Sequence, residues 1–505
     1  MNRHYMLQQL KQTAEWDIVI IGGGATGLGT ALDAATRGYS VLLLEQADFG
    51  KGTSSRSTKL VHGGVRYLAQ GNIKLVMEAL RERGHLLKNA PHLTFVQPFI
   101  VPVYRWWEKY YYAIGLRMYD LLSGKLSLGK TRILNKQETL QQLPSLQSKQ
   151  LSGGILYYDG QFDDSRLCIE LAVTAARNKA VMLNYCRVSA LVHEGKKIKG
   201  VTFIDTVSNE VHTVNAKAII NATGVFTDSI LQMDDAKLHA LVTPSQGIHL
   251  VIPQHLFPGT AAMMIPKTDD GRVLFAVPWM GKVLLGTTDT AVDHPELEPR
   301  ALESEIEFVL SHINRYGTYH VKRSDVVSVY AGLRPLVSQQ GAGGTAMLSR
   351  DHTLLVAVSG LITITGGKWT TYRKMAQDAV DNAAFVGKLP KQACITENLL
   401  IGFPETRQEK INAWIQENPS LAEKIHPNYA YTRADVVYAM RHELADQLED
   451  VLARRTRLLF LDARIAATSA PKVAEWMATE SGRDSNWQEA QIKSFQKLAE
   501  QYLIH

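Results

Sequence analysis

One segment near the start of the chain constrains the fold more than any other. Residues 17–21 form a short, β-branched apolar run, which predicts a buried strand. The glycine-rich run 22–27 follows, and small and apolar residues then predict a helix that ends at Gly38. A second apolar strand, 40–44, leads into Glu45. This order of strand, glycine turn, helix, strand and acid is typical of a dinucleotide-binding βαβ unit.

Each residue of this fingerprint has a physical role in binding a dinucleotide. Gly22 permits the tight turn, Gly24 lets the backbone approach a pyrophosphate, and Gly27 lets the helix lie close to the sheet. Thr26 lies in the first helical turn, where free N–H groups and the helix dipole attract phosphate. Glu45 can accept hydrogen bonds from a ribose diol, which favours FAD or NAD over NADP.

Two later glycine turns favour FAD over NAD. Each follows a predicted strand, so both can return to the same cofactor, and the sequence contains no second glycine fingerprint for a nicotinamide. A helix N-terminus at the second turn would stabilise negative charge on a reduced flavin. The residues that these turns contribute to the expected FAD site are Ala222, Thr223, Gly224, Gly367, Lys368, Trp369 and Thr370.

The remaining sequence predicts two further units. Strand-like runs alternate with Pro and Gly turns between residues 243 and 290, which predicts an antiparallel sheet, and the chain beyond about residue 395 has helical spacing. We therefore expect an α/β fold with a Rossmann-like FAD-binding domain, an inserted mixed α+β substrate domain containing the antiparallel sheet, and a C-terminal all-helical domain. The expected boundaries are 15–85, 150–235 and 326–390 for the first domain, 86–149 and 236–325 for the second, and 391–505 for the third.

Composition excludes several other classes of protein. The net charge of +6 over 505 residues is mild and not clustered, which argues against nucleic-acid binding. Three widely spaced cysteines exclude a disulfide scaffold and fit a reducing compartment. The sixteen histidines show no metal-ligand spacing, so we expect no metal.

Any membrane contact is expected to be peripheral. The stretch 238–266 lacks charged residues, but its four prolines are typical of strands and loops and not of a spanning helix. Residues 104–122 carry Trp and Tyr side chains beside Arg105, Lys109 and Arg117, a composition suited to a membrane interface. Packing of this helix on the substrate domain is the interpretation that we favour, and the membrane interface is the alternative.

Several longer motifs resemble those of a known family. Residues 53–68 read TSSRSTKLVHGGVRYL, 330–336 read YAGLRPL, 349–352 read SRDH and 366–373 read GGKWTTYR. On these motifs, and on the C-terminal region that begins near residues 442–443, the chain resembles the FAD-dependent glycerol-3-phosphate dehydrogenases of aerobic respiration, within the glycine-oxidase-like (D-amino-acid-oxidase-like) flavoprotein superfamily. The resemblance spans nearly the whole chain.

This resemblance implies a reaction and partners. It implies oxidation of sn-glycerol 3-phosphate to dihydroxyacetone phosphate, with hydride transfer from C2 to flavin N5 and electrons passed to a quinone. We expect a cytoplasmic protein, peripheral on the cytoplasmic face of the membrane, with a homodimer as one expected assembly. Two alternatives stay open, namely oxidation of another small amino or hydroxy acid, and a flavin-binding redox sensor without turnover.

The resemblance also implies site residues. Arg66, Arg334 and Arg350 are expected to line the substrate pocket, since a guanidinium makes bidentate contacts to phosphate, and Tyr67 to add a hydrogen bond. Arg334 is also expected among the catalytic residues. The remaining residues expected at the cofactor are Ser54, Ser55, Lys59, Leu60, His62, Gly63 and Val188.

Two further residues are candidates for the proton and charge chemistry. His249, on a predicted strand of the substrate domain, is the first choice for the base that accepts the C2 hydroxyl proton, and a buried core histidine is the alternative interpretation. Lys368 is expected to polarise the substrate or to stabilise the reduced flavin. Arg56 stands where the family resemblance leads us to expect a small residue, which could alter contacts near the cofactor.

Overall fold

The computed structural model describes residues 1–65, 71–337 and 352–504. These residues form two large sheets and a C-terminal group of helices. The strands, in chain order, are β1 (Glu15–Ile21), β2 (Val41–Leu44), β3 (Leu60–Val61), β4 (Thr94–Val103), β5 (Arg132–Leu134), β6 (Gly153–Phe162), β7 (Val181–Leu183), β8 (Cys186–Glu194), β9 (Lys197–Asp205), β10 (Glu210–Asn221), β11 (Val242–Pro253), β12 (Ala262–Ile265), β13 (Leu274–Trp279), β14 (Lys282–Gly286), β15 (Thr290–Ala291), β16 (Ser328–Val337), β17 (His352–Val356) and β18 (Ile362–Gly366).

One helix precedes these strands, and the others lie between and after them. In chain order they are α1 (Arg3–Gln12), α2 (Ala25–Thr36), α3 (Ile73–Asn89), α4 (Glu108–Ser123), α5 (Lys136–Gln142), α6 (Asp164–Arg177), α7 (Thr227–Asp234), α8 (Glu303–Asn314), α9 (Tyr372–Val386), α10 (Pro404–Glu417), α11 (Arg433–His442), α12 (Leu458–Leu461), α13 (Ala463–Ser481) and α14 (Ser485–Glu500).

The first sheet has a parallel centre in the order β18-β10-β1-β2-β7. Helices α2, α6 and α9 cover one face, and α1 with the antiparallel β8-β9-β10 extension covers the other. Because both faces are buried, the central strands are continuously apolar, as in the fully buried run Val41–Leu44. Burial of each such side chain contributes about 1.5–3 kcal/mol.

The second sheet is mostly antiparallel, in the order β15-β11-β14-β13-β12-β4-β6-β3, with β16 paired to β11 and β5 to β6. Helix α8 packs on one part of this sheet, and the C-terminal helices α11 to α14 pack on another through a shared apolar core. The predicted fold class is therefore confirmed: a dinucleotide-type α/β unit, a second unit with an antiparallel sheet, and a helical C-terminal region.

Both β6 and β16 belong to the second sheet, because they pair along ten residues with β4 and β11. The sequence boundaries include these two strands in the first domain. The domain boundaries stay predictions. Strands β17 and β18 form an antiparallel hairpin, in which Gly360, at φ 96°, helps the chain to reverse.

Candidate active site

A cleft of about 310 Å³ lies at the carboxyl ends of the parallel strands, where open α/β sheets bind ligands. Its walls come from the turns after β1, β10 and β18, the end of β2, and the loop 50–54. The predicted cofactor residues that line it are Gly22, Gly24, Thr26, Glu45, Ser54, Val188, Ala222, Thr223, Gly224, Gly367, Lys368 and Trp369.

Two glycines, one in the turn after β1 and one in the first residues of α2, have no room for a side chain. Gly22 has φ 110°, and a Cβ there would lie 2.6 Å from the carbonyl oxygen of Ala222. A Cβ on Gly27 would overlap the carbonyl oxygen of Gly22, so glycine is required where α2 meets the turn. The close approach brings the first turn of α2 to the floor of the cleft.

Glu45 is held at the end of β2 by backbone donors. Its carboxylate accepts hydrogen bonds from Gly23 N at 2.6 Å and from Ala47 N at 2.9 Å. Burial raises the pKa of the Glu45 carboxyl, and these two hydrogen bonds oppose the rise. The acid is therefore fixed beside the glycine turn and lines the cleft.

The loop 50–54 forms one wall of the cleft and is held there by three hydrogen bonds. Ser54 Oγ accepts from Ala25 N at 2.9 Å, and Trp369 Nε1 donates to the Ser54 carbonyl at 2.8 Å. Thr53 Oγ1 donates to the Leu333 carbonyl of β16 at 2.5 Å. The loop thus joins the first turn, the last glycine turn and the second sheet.

A second group of predicted site residues lies on one face of β11 and β16. His249 is opposite Tyr330, and Arg334 is opposite Ser245. Opposite residues of an antiparallel pair point to the same face, as do residues four apart on one strand. His249 and Arg334 therefore share a face. The end of β16 that carries Arg334 reaches the cleft, because the next residue, Pro335, lines it.

Glycines leave space between these two side chains. Gly247 and Gly332 form the opposed pair between them. A Cβ on Gly247 would overlap the Arg334 guanidinium, and a Cβ on Gly286 would lie 2.6 Å from His249 Cδ2. The guanidinium and the imidazole therefore lie over glycine backbone.

His249 is buried, with 2% of its surface exposed. Its Nε2 lies 2.9 Å from Thr58 Oγ1, and its ring stacks on Tyr330 at a centroid distance of 5.0 Å. Burial, and then the cations Lys59 and Arg334, hold the pKa of His249 well below 6.5. The imidazole is therefore neutral at neutral pH and able to accept a proton.

Arg334 is oriented by residues that the sequence analysis left without a role. Its Nη2 donates to Thr287 Oγ1 at 2.9 Å and to the Thr288 carbonyl at 3.0 Å, and Nη1 lies 3.5 Å from Asp289 Oδ1. The loop after β14 thus fixes the guanidinium plane, which bidentate recognition of an anion requires.

Seven other predicted cofactor residues are not among the described residues that line the cleft. These are Gly27, Ser55, Lys59, Leu60, His62, Gly63 and Thr370. Lys59 departs most from expectation, since its side chain is fully buried and its Nζ donates to Asp164 Oδ2 and to the Ser55 carbonyl, both at 2.7 Å. Burial lowers the pKa of Lys59 to about 7, although Asp164 opposes the shift. Its ammonium therefore supports the loop from behind.

Three predicted substrate residues, Arg66, Tyr67 and Arg350, lie outside the described residues. Arg56 reaches away from the cleft, where its Nη2 donates to Glu298 Oε2 at 2.6 Å and its Nη1 to the Ala331 carbonyl at 3.2 Å. Arg56 therefore connects the segment between β2 and β3 to the second sheet.

Sequence reasoning missed Asp164 as the centre of a buried cluster. Its carboxylate accepts from Ser57 Oγ at 2.7 Å, from Lys59, and from Arg457 Nη2 at 3.1 Å. The available signal was the Asp163-Asp164 pair at the start of α6, which indicates a helix cap. Asp163 does cap α6 by accepting from Arg166 N, but the cluster depends on contacts between distant residues.

Comparison with known proteins agrees with this geometry. The chain matches the family described as FAD dependent oxidoreductase over residues 17–373, more than half its length. Residues 363–491 match the C-terminal domain of alpha-glycerophosphate oxidase. A mitochondrial glycerol-3-phosphate dehydrogenase of Mesocricetus auratus is 38% identical over 554 residues, with 100% of this chain and 75% of that protein covered.

Solved structures give the same result. The glycerol-3-phosphate dehydrogenase from Bacillus halodurans, complexed with FAD, has a TM-score of 0.78 at 28% identity, with 99% of this chain and 97% of that chain covered. A glycine oxidase from Bacillus cereus shares the fold, with a TM-score of 0.52 at 16% identity over 75% of this chain and 96% of that chain. These comparisons confirm the predicted resemblance and FAD as the cofactor.

Proposed function

Because this chain belongs to the family of FAD-dependent glycerol-3-phosphate dehydrogenases, we propose that it oxidises sn-glycerol 3-phosphate to dihydroxyacetone phosphate. The observation that carries this proposal is the face of β11 and β16. A fixed guanidinium and a neutral imidazole lie there on either side of a glycine pair, and Pro335 of β16 lines the cofactor cleft. A phosphorylated alcohol needs both groups, one for its anion and one for its hydroxyl proton.

The cleft fits FAD on the chemistry of its own residues. The N-terminal turn of α2 presents backbone N–H groups for a pyrophosphate, and Gly24 leaves the approach open. Glu45 lies where an adenosine ribose would need an acceptor. When bound there, FAD supplies the acceptor for the C2 hydride.

The chain's own residues bind, orient and deprotonate the substrate in this proposal. Arg334 binds the phosphate, with Arg66, Arg350 and Tyr67 as further phosphate contacts. His249 accepts the proton of the C2 hydroxyl. Lys368, which lines the cleft, stabilises negative charge on the reduced flavin or polarises the substrate oxygen.

We further propose that electrons pass to a quinone at a membrane surface. Helix α4 and the residues before it expose a run of apolar and aromatic side chains, including Trp106 (72% exposed), Ile114 (68%) and Leu121 (80%). Arg105 and Lys109 flank this run, a combination suited to the interface of an anionic bilayer. Among the described residues, no helix is both long and apolar enough to span a bilayer. The expected position on the cytoplasmic face and the homodimer stay predictions.

Anaerobic mixing of the FAD-loaded protein with substrate tests the proposed activity. We expect glycerol 3-phosphate to bleach the oxidised flavin spectrum and to yield dihydroxyacetone phosphate in equal amount. Glycine and lactate are the comparison substrates. Bleaching by either of them alone would favour oxidation of another amino or hydroxy acid, and an unchanged spectrum with every substrate would favour a redox sensor.

A further inference from the structure

Thr58 makes a contact that joins the segment between β2 and β3 to the second sheet. It lies two residues before β3, and its Oγ1 is 2.9 Å from Nε2 of His249 on β11. The two residues are 191 positions apart in sequence. The contact engages Nε2 and not Nδ1. Because the two nitrogens of a neutral imidazole share one proton, a hydrogen bond at Nε2 affects the protonation of Nδ1.

The other ring nitrogen is left for a ligand. His249 Nδ1 is buried and has no hydrogen-bond partner among the described residues. A buried polar atom left unpaired costs about 1–3 kcal/mol, so such atoms call for a ligand or a catalytic role. Stacking on Tyr330 and the close approach to Gly286 keep the ring from turning to find another partner.

The bond at Nε2 decides whether Nδ1 carries a proton. A neutral imidazole has one N–H and one lone pair, while a threonine hydroxyl can donate or accept. If Thr58 donates, Nδ1 carries the hydrogen and cannot act as a base. If Thr58 accepts from Nε2–H, Nδ1 keeps its lone pair and can act as a base.

The hydrogen bond between Thr58 and His249 can persist through proton transfer only if the Thr58 hydroxyl is the acceptor. Both ring nitrogens of an imidazolium are donors, so a hydroxyl that accepts from Nε2–H keeps its bond when Nδ1 gains a proton. A hydroxyl that donates would have to reorient during the step, and preorganised contacts avoid that cost. We propose that Thr58 is a positioning residue whose hydroxyl accepts from His249 Nε2–H and so makes Nδ1 the atom that takes the substrate proton.

This inference rests on the proposed function and does not change the balance of atoms and electrons in the proposed oxidation. The C2 hydroxyl O–H bond breaks and its proton goes to His249 Nδ1, while the C2–H hydrogen leaves with its electron pair to FAD. The former O–H electron pair forms the second bond of the ketone. Two electrons leave the alcohol and reduce FAD, and no further reactant is needed.

The groups around the His249 ring determine how the Thr58 hydroxyl affects the pKa of His249. The groups that face His249 are Thr58 and Lys59 from the loop, Tyr330 and Arg334 from β16, and the backbone of Gly286 from β14. Both charged groups are cations, which disfavour the imidazolium. The bond to Thr58 favours the imidazolium, so its loss should lower the pKa of His249 further.

Thr58→Val and Thr58→Ser test the proposal in the FAD-loaded protein. We expect Thr58→Val to slow anaerobic flavin reduction by glycerol 3-phosphate by about 10-fold or more, the usual effect of losing a hydrogen bond to a charged group. KM should stay within a factor of two, because the phosphate contacts are untouched. The acid limb of the pH–rate profile should move to lower pH, and Thr58→Ser should restore both rate and limb.

Thr202→Val, which removes an exposed threonine hydroxyl from β9, is the matched control and should behave as wild type. A wild-type rate and profile in Thr58→Val would overturn the proposal, as would a loss that serine fails to restore. If Thr58→Val does not retain FAD, ¹⁵N spectra of histidine-labelled wild type decide, with His249 assigned from a His249→Asn sample. A protonated Nε2 supports the proposal, and a protonated Nδ1 overturns it. Failure of wild type to reduce its flavin would instead reject the proposed function.

Discussion

His249, the proposed base, is buried beside two cations. Lys59 and Arg334 disfavour its protonation, and burial does so more strongly. A phosphate dianion bound by Arg334, as proposed, would offset part of this positive charge. In this proposal the imidazole becomes a better proton acceptor when the substrate is present.

The first prediction at this scale concerns pH. A base works only when unprotonated, and the pKa of His249 lies well below 6.5, so activity should be lost on the acid side only below that value. We expect kcat/KM to be constant from pH 6.5 to 8 and to fall on further acidification. Initial rates across this range, with an artificial electron acceptor, measure it. An acid limb centred above pH 6.5 would contradict the assignment.

The second prediction at this scale concerns the anion. Arg334→Ala should raise KM for glycerol 3-phosphate roughly 10- to 150-fold, because charge-assisted hydrogen bonds contribute about 1.5–3 kcal/mol. Arg315→Ala, which removes a surface arginine paired with exposed Asp269, is the control and should leave KM unchanged. Steady-state kinetics of both variants give the comparison. Equal KM values in Arg334→Ala and wild type would remove Arg334 from the phosphate site.

At the scale of elements, the packing of α2 against the first turn governs the cofactor cleft. Gly27→Val would place a side chain on the Gly22 carbonyl and displace the turn, at a cost of about 1–3 kcal/mol for overpacking. We expect the purified variant to contain at most a tenth of the wild-type FAD, measured by its absorbance. Gly115→Ala is the control, since a Cβ there meets no atom within 4 Å. Full FAD content in Gly27→Val would contradict this account.

The exposed face of α4 gives a second prediction for elements. Replacing Trp106, Ile114 and Leu121 together by Ser should lower binding to anionic vesicles at least 10-fold, because each buried apolar side chain contributes about 1.5–3 kcal/mol. The control replaces Val358, Phe385 and Leu400, which are equally exposed elsewhere on the surface. Co-sedimentation with vesicles measures both. Equal losses in the two triple variants would place the membrane contact elsewhere or reject it.

The sequence predicted those elements whose signals are local. The βαβ unit was predictable because strand, glycine turn, helix and acid follow one another within 29 residues and each has its own pattern. The Thr58 contact to His249 was not, since no local pattern relates residues 191 apart. The burial of Lys59 was not predictable for a related reason: a lysine in a loop is usually exposed, and only its distant partner Asp164 explains its burial.

At the scale of the whole molecule, buried ion pairs attach the C-terminal helical region to the first unit. Asp48 follows β2 and is fully buried, and its carboxylate accepts from both Arg454 and Arg455. Glu443 is paired with Arg166 of α6 in the same way. Burial raises the pKa of the Glu443 carboxyl, but Arg166 outweighs it and holds the pKa at about 2. The helical region is thus joined to the cofactor unit by charges that water does not screen.

This attachment gives the last prediction. Asp48→Asn should lower the free energy of unfolding by about 3–5 kcal/mol, because it removes the buried anion that Arg454 and Arg455 share. Asp269→Asn, at an exposed pair with Arg315, should change it by about 0–1 kcal/mol. Thermal or denaturant unfolding of FAD-loaded samples measures both. A small and equal effect in the two variants would mean that Asp48 does not secure the helical region.

The cofactor cleft takes its walls from residues 21–26, 44–54, 186–188, 222–233 and 364–369. A ribosome releases these segments one after another, so a nascent chain lacks the last glycine turn until about three quarters of it has been translated. Stable flavin loading must therefore follow synthesis of β18, and a chain truncated before it should be made without cofactor. The order of translation thus makes flavin insertion a late event in the maturation of the enzyme.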